Sequence, residues 1–210
     1  MTERLASDDP QAIERAVAIM RAGGVVGIPT ETVYGLAVLP TQAALERLIE
    51  AKQRSTEKGI QLMIDSLEQA ESMAVLTAPA RAIAARYWPG PLTLVLARRP
   101  DLDLPELLGG GRPTFGLRMP DHAVPRAIAR VLGPFAASSA NVSGQPDSST
   151  AEQALTSMGD HMELLIDDGP VRGGVPSTVV ACLGDEPPQV LREGALSAAE
   201  IRAAAATLGS

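Results

Sequence analysis

Very little in this sequence can bind a metal, form a disulfide or stack on a base. It contains one cysteine, Cys182, and two histidines, His122 and His161, in 210 residues. A single cysteine cannot close an internal disulfide. It lies in the apolar run STVVAC, where a small core residue is expected, and the absence of disulfides points to a reducing compartment, the cytoplasm. Each histidine stands beside an acidic residue in polar sequence and neither has ligand spacing to Cys182. Both are read as solvent-facing, and no protein-only metal site is expected. Aromatic residues make up 2% of the chain, too few for a surface that stacks exposed bases. The net charge of −7 argues against a protein that coats nucleic acid, which needs Lys and Arg in excess. A local basic patch with weak tRNA contact remains open. No apolar run approaches the roughly 20 residues of a membrane span, and MTERLASDDP lacks signal-peptide character, so no membrane is expected. There is no GxSxG elbow and no Walker loop. Gly109-Gly110-Gly111-Arg112 lacks the lysine and the strand–helix context of a phosphate loop and reads as a flexible turn.

What is present is an ordinary globular balance, 45% hydrophobic and 20% charged, enough to bury one core over a single domain, 1–210. Helical spacing of Ile13, Val17 and Met20 follows Asp9-Pro10 and stops at Gly23-Gly24. VVGI, YGLAV, IQLMI, LTLVLA, TFGLR, ELLI, STVVAC and QVLR read as strands, with a further short one ending at Ser138. Helices are expected over Ala44–Ile49, Pro79–Tyr87 and Val124–Val131, and after the capping boxes Ser66-x-x-Gln69, Thr150-x-x-Gln153 and Ser197-x-x-Glu200. Interleaved helices and strands without strict βαβ regularity predict an α/β fold, a mixed sheet covered by helices.

The informative segments put polar residues where buried strands end. PTETVYGL joins two apolar strands through Thr30, Glu31 and Thr32. In KQR, Lys52 and Arg54 follow a helix, with Lys58-Gly59 just beyond. On an extended segment they would point the same way and close on one anion, or serve as partners of the helix dipole. TFGLRMP places Arg118 at a strand end, where its planar fork suits a carboxylate. SSANVSG is dense in hydroxyls and backbone N–H groups suited to a phosphate. VPSTVV sets Ser177 and Thr178 at a strand entrance, and LREG sets Arg192 at an exit. One crevice lined by these would suit a nucleotide and an amino acid.

The same segments, with YWPGPLTLVL, run in order from Pro29 to Gly194 and resemble the YrdC-like threonylcarbamoyl-AMP synthase family in its short bacterial form, without the C-terminal extra domain. The resemblance implies a YrdC-like twisted mixed β-sheet flanked by helices, with a concave binding crevice. The implied activity is nucleotidyl transfer: L-threonine, bicarbonate or CO2 and ATP give threonylcarbamoyl-AMP and pyrophosphate, with Mg2+ accompanying ATP. Downstream threonylcarbamoyl-transfer proteins then modify the tRNA adenosine beside the anticodon. By position, the implied ATP-binding residues are Lys52, Arg54, Lys58, Thr114, Asn141, Ser143, Ser149 and Arg192, with Lys52 and Arg54 catalytic. The implied threonine-binding residues are Thr32, Arg118, Ser139 and Ser177. Two positions depart from the family pattern: Ser55 follows K-x-R in place of proline, and Met63 stands where longer members carry a histidine near threonine.

Three other readings compete. A double-stranded RNA or tRNA-binding module on the same fold is disfavoured by acidity and scarce aromatics. An inactive paralogue is disfavoured by the intact K-x-R and S-x-N motifs. Carbamoyl transfer in hydrogenase maturation calls for a zinc-finger region that one cysteine cannot form.

Overall fold

A computed structural model of the chain describes residues 2–184 and 186–206. Helix α1 (Ala12–Arg21) begins two residues after Pro10, because Asp9 Oδ1 accepts from Gln11 N at 2.8 Å and holds the preceding turn. The other helices are α2 (Gln42–Ala51), α3 (Leu67–Met73), α4 (Ala78–Tyr87), α5 (Ala123–Leu132), α6 (Ala151–Met158) and α7 (Ala198–Ala206). The expected caps hold three of them. Ser66, Thr150 and Ser197 hydroxyls accept from the backbone N–H three residues on, at 3.2, 3.2 and 3.3 Å. At Ser197 the box is reciprocal, Glu200 Oε2 accepting from Ser197 N at 2.8 Å. At the other two the glutamine reaches one residue further back, to Asp65 N and Ser149 N, which satisfies an orphan donor just outside the helix.

The strands are β1 (Glu3–Ala6), β2 (Val26–Ile28), β3 (Gly35–Val38), β4 (Gln61–Met63), β5 (Ala74–Val75), β6 (Leu92–Arg98), β7 (Thr114–Arg118), β8 (Phe135–Ser139), β9 (Leu164–Asp167), β10 (Thr178–Ala181) and β11 (Gln189–Arg192). They form one mixed sheet in the order β1-β9-β2-β3-β8-β4-β7-β6-β10-β11, with β5 beside β6. Neither β1 nor β5 stands out in the sequence. β1 is a four-residue edge strand with only every second residue half-buried, and its identity comes from parallel pairing with β9.

Side chains alternate across the sheet, so the sheet feeds two cores. Leu36, Val38, Leu62, Leu92, Leu94, Leu96, Leu117 and Val180 pack on one face with residues of α2, α3, α4, α6 and α7. On the other face Val26, Ile28, Ala37, Phe135, Ala137, Leu164 and Ile166 pack with Ala12, Ala16 and Met20 of α1 and Val124, Ile128 and Ala129 of α5. These two helices cover the second face only toward β9, β2, β3, β8 and the Met63 end of β4. Along β7, β6, β10 and β11 the same face is left uncovered, and that gap is the crevice described next. Cys182 is a buried core residue, just past the end of β10, and burial pushes its thiol up to about 11. His161 is exposed as expected, but His122 is not solvent-facing. Its side chain is 14% exposed, its Nδ1 accepts from Val124 N as the N-cap of α5, and its Nε2 meets Asp168 at 3.1 Å.

Candidate active site

The uncovered face forms a cavity of about 620 Å3, within the range of small-molecule sites. Its floor is made by alternate residues of neighbouring strands: Thr93 and Val95 of β6, Thr114 and Gly116 of β7, Val179 and Ala181 of β10. Gly116 is required there, because a Cβ would come within 2.9 Å of Thr93 Cγ2 and 3.2 Å of Gln61 Cβ. Four arginines line the cavity, Arg54, Arg112, Arg118 and Arg192, against one carboxylate, Asp147. A chain with net charge −7 therefore gathers an excess of cations into one crevice.

Arg118 ends β7, 2% exposed. Its Nη2 donates to Glu31 Oε1 and to Thr32 Oγ1, each at 2.8 Å. Thr32 in turn shares a 2.9 Å hydrogen bond with Thr30, whose hydroxyl donates to Val33 O at 2.6 Å. The PTET turn is thus a hydroxyl-tied loop built around one guanidinium. Ser139, at the end of β8, and Ser177, just before β10, both line the cavity. Ser177 Oγ lies 2.8 Å from Thr93 Oγ1, and Arg192 Nη2 donates to Ser177 O at 2.8 Å. Of the four residues implied for threonine, Arg118, Ser139 and Ser177 line the crevice, and Thr32 accepts from Arg118.

The residues implied for ATP fall in three places. Arg54, Thr114 and Arg192 line the cavity. Lys52, Asn141, Ser143 and Ser149 do not; they build the loop beside it. Lys52 is the C-cap of α2 and 1% exposed. Its ammonium donates to Ser139 O, to Asn141 O at 2.6 Å and to Asn141 Oδ1 at 3.3 Å. Asn141 also accepts from Ser139 Oγ at 2.5 Å and donates from Nδ2 to Gln145 O at 2.6 Å, and Ser143 N reaches Lys52 O at 2.9 Å. Ser149 bonds Gln153 ahead of α6 through both its N–H and its hydroxyl. Lys58 is exposed on the turn after Arg54. The extended K-x-R geometry is not adopted. Lys52 is still helical, and Gln53 turns through φ 48°, sending Lys52 into the SSAN loop and Arg54 toward the cavity. Arg54 is held there by Gly59 O at 2.8 Å.

Burial and then the Arg54 charge push the Lys52 ammonium down to about 8, with Asp147 opposing. Burial and then Arg192 lower Arg54, and burial likewise lowers Arg192 against the pull of Asp147. Clustered, desolvated cations raise one another's free energy, and an anion entering the crevice relieves that cost.

Three residues at the site went unassigned from sequence. Arg112 and Asp147 line the cavity, and Glu31 pairs with Arg118. The glycine turn before Arg112 is not loose. A Cβ on Gly109 would lie 2.1 Å from Arg112 O, and one on Gly110 (φ 62°) 2.2 Å from Glu57 O, so the turn is packed against residues 57–59. Met63 is the converse case. It is 2% exposed within the core against α1 and α5, on the same face of the sheet as the crevice but in its helix-covered part. A second cavity, of about 740 Å3, lies across the Arg118–Glu31 pair and is lined by Glu31, His122, Arg126, Arg130, Asp168 and Arg172 among others. Arg126 and Arg130 are already paired there with Asp65, each at 2.7 Å.

This is a mixed-sheet α/β domain with an arginine-rich crevice at its strand ends, and known proteins place it further. Residues 18–194 match the Sua5_yciO_yrdC family, described as "Telomere recombination", and the chain belongs to that family. It is 38% identical over 209 residues to the threonylcarbamoyl-AMP synthase of Bacillus subtilis, a match covering 97% of this chain and 59% of that protein. A Mycobacterium tuberculosis relative is 38% identical over 208 residues, covering 96% of this chain and 94% of its own length. The crystal structure of Pyrococcus abyssi Sua5 complexed with L-threonine superposes with a TM-score of 0.89 at 35% identity, over 97% of this chain and 60% of that one.

Proposed function

We propose that the chain is an L-threonylcarbamoyladenylate synthase, a nucleotidyltransferase acting in the cytoplasm on L-threonine, bicarbonate and ATP. The observation that carries this is one cavity on the uncovered sheet face that brings both sets of residues together. Arg118, Ser139 and Ser177 supply a guanidinium and two hydroxyls suited to an amino acid, and Arg54, Arg112 and Arg192 supply cations suited to a triphosphate. The threonine complex of the Pyrococcus relative supports assigning the first. An RNA-binding module would need Lys and Arg in excess, and the net charge of −7 counts against it.

Threonine binds with its carboxylate on Arg118, a geometry in which a guanidinium fork is strongest. The amine condenses with bicarbonate or CO2 to a carbamate, which is labile in water. That carbamate attacks the α-phosphate of ATP and pyrophosphate leaves. The protein supplies no covalent nucleophile. It positions the reactants and stabilises charge on the transferring phosphate through Arg54 and Arg192, while Lys52 holds the Ser139–Ser143 loop in shape. Mg2+ fits the site modestly: Asp147 is a lone carboxylate among cavity-lining arginines with no hydrogen bond or ion pair of its own among the described residues, and one carboxylate plus substrate phosphates is a donor set Mg2+ uses. When bound there it would neutralise phosphate charge. Threonylcarbamoyl-transfer proteins, and through them tRNA, are the partners downstream.

The test is incubation with ATP, threonine and bicarbonate, assaying pyrophosphate and the mixed anhydride. Pyrophosphate release that needs threonine and bicarbonate together is the expected result; full-rate ATP cleavage without threonine refutes the reading.

A further inference from the structure

Gln61 opens β4 and lines the crevice, yet it belongs to none of the segments that carry the expected chemistry. β4 runs parallel to β7 with Leu62 beside Leu117 and Met63 beside Arg118, which sets Gln61 level with Gly116, between Thr114 and Arg118. Gly116 has no side chain to block the way, so Gln61 reaches across β7, where its Oε1 accepts from Thr93 Oγ1 of β6 at 2.7 Å. The Thr93 hydroxyl has a single proton and spends it there, so in the 2.8 Å contact between Thr93 and Ser177 the Ser177 hydroxyl donates. Thr93 and Ser177 are each 3% exposed, and these buried hydroxyls fasten the carbonyl end of the Gln61 amide. The amino end is free. Gln61 Nε2 makes no hydrogen bond among the described residues, and it is not shut away, because the buried unpaired side-chain atoms there are Glu31 Oε2 and Arg118 Nε. An amide held by its oxygen thus offers its N–H donors to the crevice.

We propose that Gln61 is a catalytic residue of the crevice, its amide N–H groups donating to the anionic oxygens of the carbamate and the α-phosphate as these meet. This rests on the synthase reading and adds to it a neutral donor at the point of reaction. On β7, Thr114 is implied for ATP and Arg118 for threonine, both line the cavity, and Gln61 stands level with the residue between them. In the step itself a carbamate oxygen bonds to the α-phosphorus, the bond from that phosphorus to the pyrophosphate oxygen breaks, and Gln61 transfers no proton. Two anions are forced together there. A donor already fixed in place, whose bonds strengthen as the oxygens crowd, lowers that barrier. A neutral amide does so without adding to the repulsion that Arg54 feels from Arg192 and Arg192 from Arg118. Its loss is therefore expected in kcat rather than in the affinity for either substrate.

The experiment measures pyrophosphate release from ATP, threonine and bicarbonate, beside calorimetric binding of ATP and of threonine alone, on the whole chain and on Gln61→Met and Gln61→Glu. Gln61→Met removes the donors at similar volume. Gln61→Glu keeps an oxygen for Thr93 but puts a charge where the donors were. Gln61→Met is expected to lower kcat by about 10²-fold, the scale of one lost transition-state donor, while both affinities hold. Gln61→Glu is expected to fall further, because a carboxylate repels the reacting oxygens. If Gln61 does no more than hold Thr93, Gln61→Glu outperforms Gln61→Met, and that order overturns the proposal. So does a loss in Gln61→Met that lies wholly in ATP or threonine affinity, or an active wild type matched by both variants; these leave the synthase reading standing. A wild type that releases no pyrophosphate with all substrates present overturns that reading as well. Should the variants fail to fold, a crystal structure of the wild type with threonylcarbamoyl-AMP decides: Gln61 Nε2 lies within hydrogen-bond distance of a carbamate or α-phosphate oxygen, or the proposal is wrong.

Discussion

One face of the sheet does two different jobs along its length, and the contrast explains the molecule. Toward β2 and β9 its outward residues are Val26, Ile28, Leu164 and Ile166, sealed beneath α1 and α5. Toward β6, β7 and β10 the residues are Thr93, Val95, Thr114, Gly116, Arg118, Val179 and Ala181, and they line the open cavity. The same strand alternation operates in both regions. What differs is whether the face carries an unbroken set of branched apolar side chains, which drive a helix onto the sheet, or interrupts them with small and polar ones, which leave a wettable hollow. Binding is therefore placed where the core stops.

The sharpest way to break this contrast is to make one large change in each region. Phe135→Ala, in the covered part, should cost about 3–5 kcal/mol of stability and leave threonine and ATP affinities of the folded protein unchanged. Arg118→Ala, in the open part, strands Glu31 and should cost a similar amount, about 3–5 kcal/mol, but also lower kcat/KM for threonine by roughly 10²-fold or more. Denaturant melts paired with steady-state kinetics separate them; equal loss of threonine affinity in both would erase the distinction.

Lys52 lies between the two regimes, buried like a core residue yet tied to the SSAN loop. Lys52→Ala should lower kcat by roughly 10²-fold and also cost about 1–3 kcal/mol, since its carbonyl partners lose a buried donor. Arg54→Ala, at the open side, should show a comparable fall in kcat with stability moved by no more than about 0.5 kcal/mol. Thermal melts of the pair, run beside pyrophosphate assays, check whether only Lys52 couples fold to activity.

The smallest effect expected is in pH. The Lys52 ammonium is lowered from 10.5 to about 8 in the folded chain, chiefly by burial. The folded protein thus releases this proton first, and between about 8 and 10.5 the unfolded chain holds more protons. Stability from this group rises with pH across that window, while activity that needs the cation falls through about 8. Lys52→Met should flatten the stability rise in denaturation curves measured across the same range.

Most of the local structure was legible in the residues. β7 runs from Thr114 to Arg118 as its pattern indicates, and the caps at Ser66, Thr150 and Ser197 act where their spacing puts them. The motif segments were legible too, and they do surround one crevice. The part each residue plays there was not. Gln53 at φ 48° separates Lys52 from Arg54, Gly109 and Gly110 pack where a loose turn was expected, and Met63 belongs to the core beneath α1 and α5. Capping and hydrophobic period act over a few neighbouring residues, so the sequence by itself determined which segments are helix or strand and which carry polar chemistry at their ends. Which face of the sheet stays open depends on where α1 and α5 stop, and that is settled by packing between residues more than a hundred positions apart, such as Met20 and Ile128. Only the tertiary structure could place Arg112 and Asp147 in the cavity, or set Glu31 against Arg118 across 87 positions of chain.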